Sequence, residues 1–174
     1  MKANKILVVV DMQNDFIDGA LGSSMAQGVV QNAANKIKAH DGLLVFTRDT
    51  HNDDYMNTQE GKNLPIAHCI SGSCGWEIAD SLKAVANTDS IIIDKPTFGS
   101  FELIEALKPH INSETEIELI GIATDICVVS NALILKAAFP ENKIMVDSKC
   151  CAGITEAGHN AALTVMRTCQ IEVE

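Results

Sequence analysis

Lys5-Ile6-Leu7-Val8-Val9-Val10-Asp11 sets an unbroken, mostly β-branched apolar run against a terminating carboxylate. A run of this length and composition reads as a strand buried on both faces, the habit of a parallel sheet covered by helices. Similar segments recur at Leu43–Thr47, Ser90–Asp94, Glu116–Ile122, Lys143–Asp147 and Ile171–Val173. Between them apolar residues return at helical spacing: Val29, Val30, Ala33 and Ile37, then Leu103, Ile104 and Leu107, then Ala157, Ala161, Val165 and Met166. Strands alternating with amphipathic helices predict an α/β fold: a doubly wound, six-stranded, mostly parallel sheet with helices on both faces, three layers in all.

The 174 residues carry no internal repeat, linker or compositional break, which predicts one domain spanning 1–174. An apolar share of 47%, a charged share of 21% and only 4 prolines exclude a disordered or collagen-like chain. Thirteen Lys and Arg against 23 Asp and Glu give a net charge of −10. That balance disfavours binding to nucleic acid or an anionic membrane and leaves small-molecule chemistry. The run Ile6–Val10 falls well short of the roughly 20 apolar residues of a membrane span, and of a secretory signal core, so no targeting is expected. Cys69, Cys74, Cys127, Cys150, Cys151 and Cys169 are irregularly spaced, and free thiols in a reducing cytoplasm are the expectation.

Two stretches depart from the strand-and-helix rhythm. Asp49 to Gly75 has almost no apolar periodicity yet concentrates Asp49, His51, Glu60, His68 and two cysteines, and a loop this long in a compact domain is usually functional. Gly121-Ile122-Ala123-Thr124-Asp125-Ile126-Cys127 carries a strand into the helical run Val128–Ala138, with a thiol at or near the helix start.

In an open α/β sheet, ligands lie outside the carboxyl ends of the strands. Asp11 ends the first strand, Lys95 follows the third and Cys127 follows the fourth, so right-handed winding brings all three to one rim. Taken singly, Asp11 reads equally as a strand-end cap, Lys95 as a solvated lysine and Cys127 as a small core hydrophobe. Taken together they form a nucleophile with its base and cation: an ammonium and a helix N-terminus lower a thiol's pKa, and a carboxylate moves the proton. Asp49-Thr50-His51 places a carboxylate and an imidazole two apart on an extended segment, facing one way and able to share an ion. Asp53, Asp54 and Asn57 read as solvated loop, and the Cys69–Cys74 spacing is looser than the usual zinc pairs. Cys150 and Cys151 read as passive. Phe16 and Trp76 are candidates to sandwich a flat ring, or else core. No G-x-G-x-x-G follows the first strand, which argues against a dinucleotide fold, and the wholly apolar first strand lacks the acid cluster of a phosphoacceptor receiver.

Asp11-Met12-Gln13-Asn14-Asp15-Phe16, Asp94-Lys95-Pro96 and Gly121–Val128, each at a strand end and in this order, resemble the isochorismatase-like cysteine hydrolases, and among them the nicotinamidase branch. The resemblance spans nearly the whole chain. It implies a triad in which the Cys127 thiolate attacks a carboxamide, Asp11 passes the proton to leaving ammonia, Lys95 holds the charges, and water then hydrolyses the thioester. It also implies a cis peptide at Ile122–Ala123, with the N–H groups of Ala123 and Cys127 aimed at the oxyanion.

In that branch the Asp-x-His pair opens a metal site that holds the substrate's pyridine nitrogen. Here the resemblance makes His68 the last ligand. Asn57 stands where many relatives have a second histidine, leaving Glu60 as the substitute, so the implied set is Asp49, His51, Glu60 and His68. Two carboxylates and two imidazoles suit a divalent Zn, Mn or Fe ion. The resemblance thus implies conversion of nicotinamide to nicotinate and ammonia in NAD salvage, by a cytoplasmic homo-oligomer acting on a small-molecule amide. The alternative within the superfamily is another amide, a carbamoyl compound or isochorismate.

Overall fold

The computed structural model describes residues 4–174. Six strands run in chain order: β1 (Lys5–Val10), β2 (Leu43–Asp49), β3 (Ile91–Lys95), β4 (Glu116–Ile122), β5 (Lys143–Ala152) and β6 (Glu172–Val173). They form one sheet in the order β3-β2-β1-β4-β5-β6, and every neighbouring pair is parallel. The expected mostly parallel sheet is therefore wholly parallel. Strand order reverses direction between β1 and β4, which makes the carboxyl ends of those two strands the crevice where doubly wound sheets take their ligands.

Successive side chains of β1 explain its unbroken apolar run. Ile6, Val8 and Val10 enter one core with α5 (Phe101–Leu107), α6 (Val129–Ala138) and α7 (Glu156–Thr168). Leu7 and Val9 enter the opposite core with α2 (Ser24–Ala39), the short α1 (Asn14–Ile17) and α4 (Asp80–Lys83). Neither face meets water, so neither tolerates a polar residue. Helix starts are set by side-chain caps: Ser23 for α2, Ser100 for α5 and Thr155 for α7 each accept the N–H three residues on.

Two expectations shift. On α7 the buried stripe is Ala162, Leu163 and Met166, whereas Ala157, Ala161 and Val165 face solvent. Alanine fits either side of a helix, so its spacing alone selected the wrong face, and Leu163 decides it. β5 continues five residues past Asp147 as far as Ala152, because Cys150, Cys151 and Ala152 are buried and extend the pairing with β4 beyond an irregularity at Leu119–Gly121. Gly121 has φ +128, and a Cβ there would meet the Val10 carbonyl at 2.0 Å. Only glycine lets β4 pass this close to β1 beneath the crevice.

Candidate active site

Each reactive residue sits where a strand ends. Asp11 follows β1 in a left-handed conformation, φ +48, which turns the chain away from the sheet while its side chain stays wholly buried. The Thr47 hydroxyl donates to Asp11 Oδ1 at 2.6 Å. Lys95 is the last residue of β3, in register with Asp49 of β2. Its Nζ is 2.6 Å from Asp11 Oδ2, 3.5 Å from Asp49 Oδ1 and 3.5 Å from Cys127 Sγ, and it donates to the Thr97 carbonyl at 3.0 Å. The cis Ile122–Ala123 peptide leads from β4 into a single π-helical turn, Thr124–Val128, that carries Cys127 and runs on into α6. Asp11, Lys95 and Cys127, drawn from a stretch of more than a hundred residues of chain, thus meet around one ammonium.

Their electrostatics differ from the lowered thiol pKa expected of a cysteine beside a lysine. Burial, then the charge of Asp11, push the Cys127 thiol well up, and Lys95 offsets them only in part. Burial also raises Asp11, opposed by Lys95 and by the Thr47 hydrogen bond. Although burial disfavours its charge, Lys95 is held protonated by Asp11, Cys127 and Asp49. Burial thus favours the neutral thiol and the neutral carboxyl, while the surrounding negative groups favour the charged lysine. Lys95 Nζ, 3.5 Å from the Cys127 sulfur, is placed to pair with a thiolate there.

A second cluster shares Asp49. The Nε2 atoms of His51 and His68 approach Asp49 Oδ2 at 2.9 and 3.5 Å and Glu60 Oε1 at 3.6 and 3.9 Å. One donor atom from each of the four lies within 4.8 Å of every other. His68 Nδ1 donates to the Ile66 carbonyl at 2.8 Å, a contact that orients the ring and turns Nε2 toward the cluster. Asp49 Oδ2 faces the two imidazoles, while its buried Oδ1 faces Lys95 Nζ at 3.5 Å. Two carboxylates and two imidazoles converging on one point fit a divalent metal ion. Burial and Asp49 raise Glu60, the behaviour of a carboxylate crowded against another negative charge.

The two clusters open into one cavity of about 480 Å³. Cys127, Ala123 and Phe16 line it beside Asp49, Glu60 and His68, and Phe98 and Ile154 stand at its solvent side. Phe16 meets His68 edge-on, their rings 5.5 Å apart. Trp76 does not line this cavity. Its indole lies under Arg48, 3.5 Å from the guanidinium carbon, and its Nε1–H donates to Thr50, because the chain after Ser73 turns it toward β2. Cys69 is buried, Cys74 is exposed, and neither joins the donor cluster. All six cysteines are free thiols.

The isochorismatase domain pattern matches residues 5–174. The chain belongs to the isochorismatase family. It is 27% identical over 186 residues to the nicotinamidase/pyrazinamidase of Mycobacterium tuberculosis, with 97% of each chain covered. The structure of Pyrococcus horikoshii pyrazinamidase in complex with zinc superposes with a TM-score of 0.82 at 25% identity, over 98% of both chains. Bacillus subtilis nicotinamidase gives a TM-score of 0.84 at 25% identity, again over 98% of both. As an isochorismatase-family protein the chain is a hydrolase, and its dependence on a cysteine follows from the family. No helix among the described residues is long and apolar enough to cross a membrane.

Within this isochorismatase-family site several supporting residues carried no sequence signal of their own. Tyr55, the chain's one tyrosine, is buried in the otherwise polar loop and packs against both His51 and His68, with ring centroids 4.6 and 5.0 Å away. A lone aromatic in a polar loop was the available clue. Asn131, fully buried on α6, donates to the carbonyls of Cys127 and Phe98 and accepts the Ser100 N–H. It ties the thiol's turn to the loop that follows Lys95.

Proposed function

We propose that the protein is a metal-containing nicotinamidase, converting nicotinamide to nicotinate and ammonia, with 1–174 as its single hydrolase domain. The observation that carries this reading is the sharing of Lys95: one ammonium stands 3.5 Å from the Cys127 sulfur and 3.5 Å from Asp49 of the donor cluster. A flat ring amide held through its ring nitrogen at Asp49, His51, Glu60 and His68 then presents its carbonyl within reach of the thiol. The ion, for which we propose zinc, supplies a Lewis-acid anchor for that nitrogen.

In the proposed sequence Asp11 takes the thiol proton and the Cys127 thiolate adds to the amide carbon. The N–H groups of Ala123 and Cys127 face the oxyanion. Collapse breaks the C–N bond as Asp11 returns its proton to nitrogen, so ammonia leaves. Asp11 next takes a proton from water, hydroxide adds to the thioester, and nicotinate departs as the thiol is restored.

Charge supports this substrate over isochorismate. Among the described residues, the cavity lining holds Asp49 and Glu60 and no Lys or Arg, a poor match to a dicarboxylate. The same reading places the enzyme in the cytoplasm, in keeping with its free thiols, and as a homo-oligomer by family analogy alone.

The test is ammonia release from nicotinamide by the purified protein, beside Cys127→Ala and a chelator-stripped sample, with total metal counted on the same preparation. Turnover lost in both controls, with about one ion per chain in the untreated enzyme, is the expected result. Metal without ammonia release overturns the substrate, and absence of both makes a metal-free relative the better reading.

A further inference from the structure

β2 outruns its neighbour. β1 pairs with it only as far as Val10 opposite Thr47, after which Asp11 turns away and its N–H makes a last contact to the Thr47 carbonyl at 3.2 Å. β3 stays in register as far as Asp49 opposite Lys95. The peptide groups of Asp49 that point to the β1 side have therefore lost their strand. Gln13 fills the gap with a side chain. Its Oε1 accepts the Asp49 N–H at 2.7 Å and its Nε2 donates to the Asp49 carbonyl at 2.8 Å, so one primary amide takes both groups of one residue as a parallel strand would. The second Nε2 hydrogen goes to the Trp76 carbonyl, also at 2.8 Å. Gln13 has no exposed surface, and its backbone bridges to Ile78. Every donor and acceptor of this amide is thus engaged on backbone, and none on the reacting groups.

We propose that Gln13 is a positioning residue of the donor cluster: its amide replaces the missing strand rung beside Asp49, fixes that residue's backbone, and so holds Asp49 Oδ1 and Oδ2 where Lys95, His51 and His68 meet them. This rests on the metal reading above. The role is distinct from that of a ligand, because Gln13 reaches the cluster only through the Asp49 peptide. It also ties that peptide to the segment behind His68, since the same amide holds Trp76. Outer partners of metal ligands typically govern affinity by about 10- to 100-fold.

The experiment compares wild-type protein, Gln13→Met and Leu82→Ala, each loaded with zinc and titrated against a chromogenic chelator. Leu82 is buried in the core on the α2 side of the sheet and makes no hydrogen bond to the Asp49 peptide or to the donor cluster, so it reports on general destabilisation. Alkylation of Cys127 by iodoacetamide, followed by peptide mass spectrometry, reports on the triad. Gln13→Met is expected to bind zinc at least tenfold more weakly, with Leu82→Ala near wild type and the Cys127 alkylation rate changed less than threefold in both. Gln13→Glu keeps the acceptor for the Asp49 N–H and loses both donations, and is expected to show the same direction of loss. It decides the question if Gln13→Met does not fold. Equal zinc affinity in wild type and the Gln13 variants overturns the positioning role while leaving the metal reading intact, and so does an equal loss in Leu82→Ala. A wild-type protein that holds no zinc overturns the metal reading and this inference together.

Discussion

The Nζ of Lys95 lies 3.5 Å from the sulfur of Cys127, with the lysine fully buried and the cysteine nearly so. Removing either partner is expected to end turnover, but the two losses differ physically. Cys127→Ala deletes one atom from a packed core and leaves Lys95 paired with Asp11. We expect turnover to fall at least about 10³-fold and stability to change by about 1 kcal/mol or less. Lys95→Met leaves the carboxylates of Asp11 and Asp49 buried without their cation, and a loss of about 3–5 kcal/mol is expected. Thermal unfolding of both variants beside ammonia release checks this, and a Cys127→Ala enzyme with wild-type turnover removes the mechanism.

Thr47 tunes the base. Its hydroxyl donates into Asp11 Oδ1 and holds that carboxyl lower than burial alone would set it. In Thr47→Val the charged form loses this donor, so the Asp11 pKa rises further. A base must be ionised to accept the thiol proton, and the acid limb of kcat/KM is therefore expected to move to higher pH. The kcat is expected to drop about tenfold and stability by about 1–3 kcal/mol. A pH–rate profile that stays in place counts against Asp11 as the base.

Trp76 offers a contrast, since its ring stacks on Arg48 outside the cavity. Trp76→Leu forfeits that stack and the hydrogen bond to Thr50, at a cost of about 1–2 kcal/mol. KM for nicotinamide is expected to change less than twofold, whereas Phe16→Leu raises it. Steady-state kinetics on the two variants separate the roles.

Far from the site, Lys36 of α2 bridges Glu118 of β4 at 2.5 Å and Asp147 of β5 at 2.7 Å. Against its burial, Lys36 holds the Asp147 carboxyl below the ordinary range. A carboxylate with a depressed folded pKa stabilises the fold above its unfolded pKa of about 3.9, and that contribution is lost as pH falls through the folded value. Lys36→Met is expected to cost about 1 kcal/mol at pH 7, the groups being partly exposed. The gap from wild type should close below about pH 4, as denaturant titrations at both pH values will show, with turnover unchanged.

The sheet was legible because its strands are apolar on both faces: β1 and β4 are bounded in the sequence as in the structure, and Asp11 stands out as the carboxylate that ends an apolar run, whereas Lys95 and Cys127 gained meaning only from their shared rim. The loop ligands were legible only with the family pattern in hand, since nothing in the spacing of Glu60 and His68 says that a short helix, α3 (Gln59–Asn63), folds them back onto Asp49. Trp76 and the buried face of α7 show the limit. Where an aromatic sits in a loop, or alanines repeat on a helix, local composition fits either side, and only long-range packing decides. The direction of the Cys127 shift was hidden for the same reason, because burial and the charge of Asp11 outweigh the lysine that strand order places beside it.

The reversal of strand order between β1 and β4 also has a temporal meaning. Asp11, Asp49 and Lys95 belong to the half of the sheet built from β1 to β3, while Cys127 arrives with β4, whose every contact to β1 spans more than a hundred residues of chain. Bringing the thiol to Asp11 and Lys95 therefore requires closing a loop of more than a hundred residues, and in refolding the return of turnover is expected to follow that long-range pairing rather than local structure.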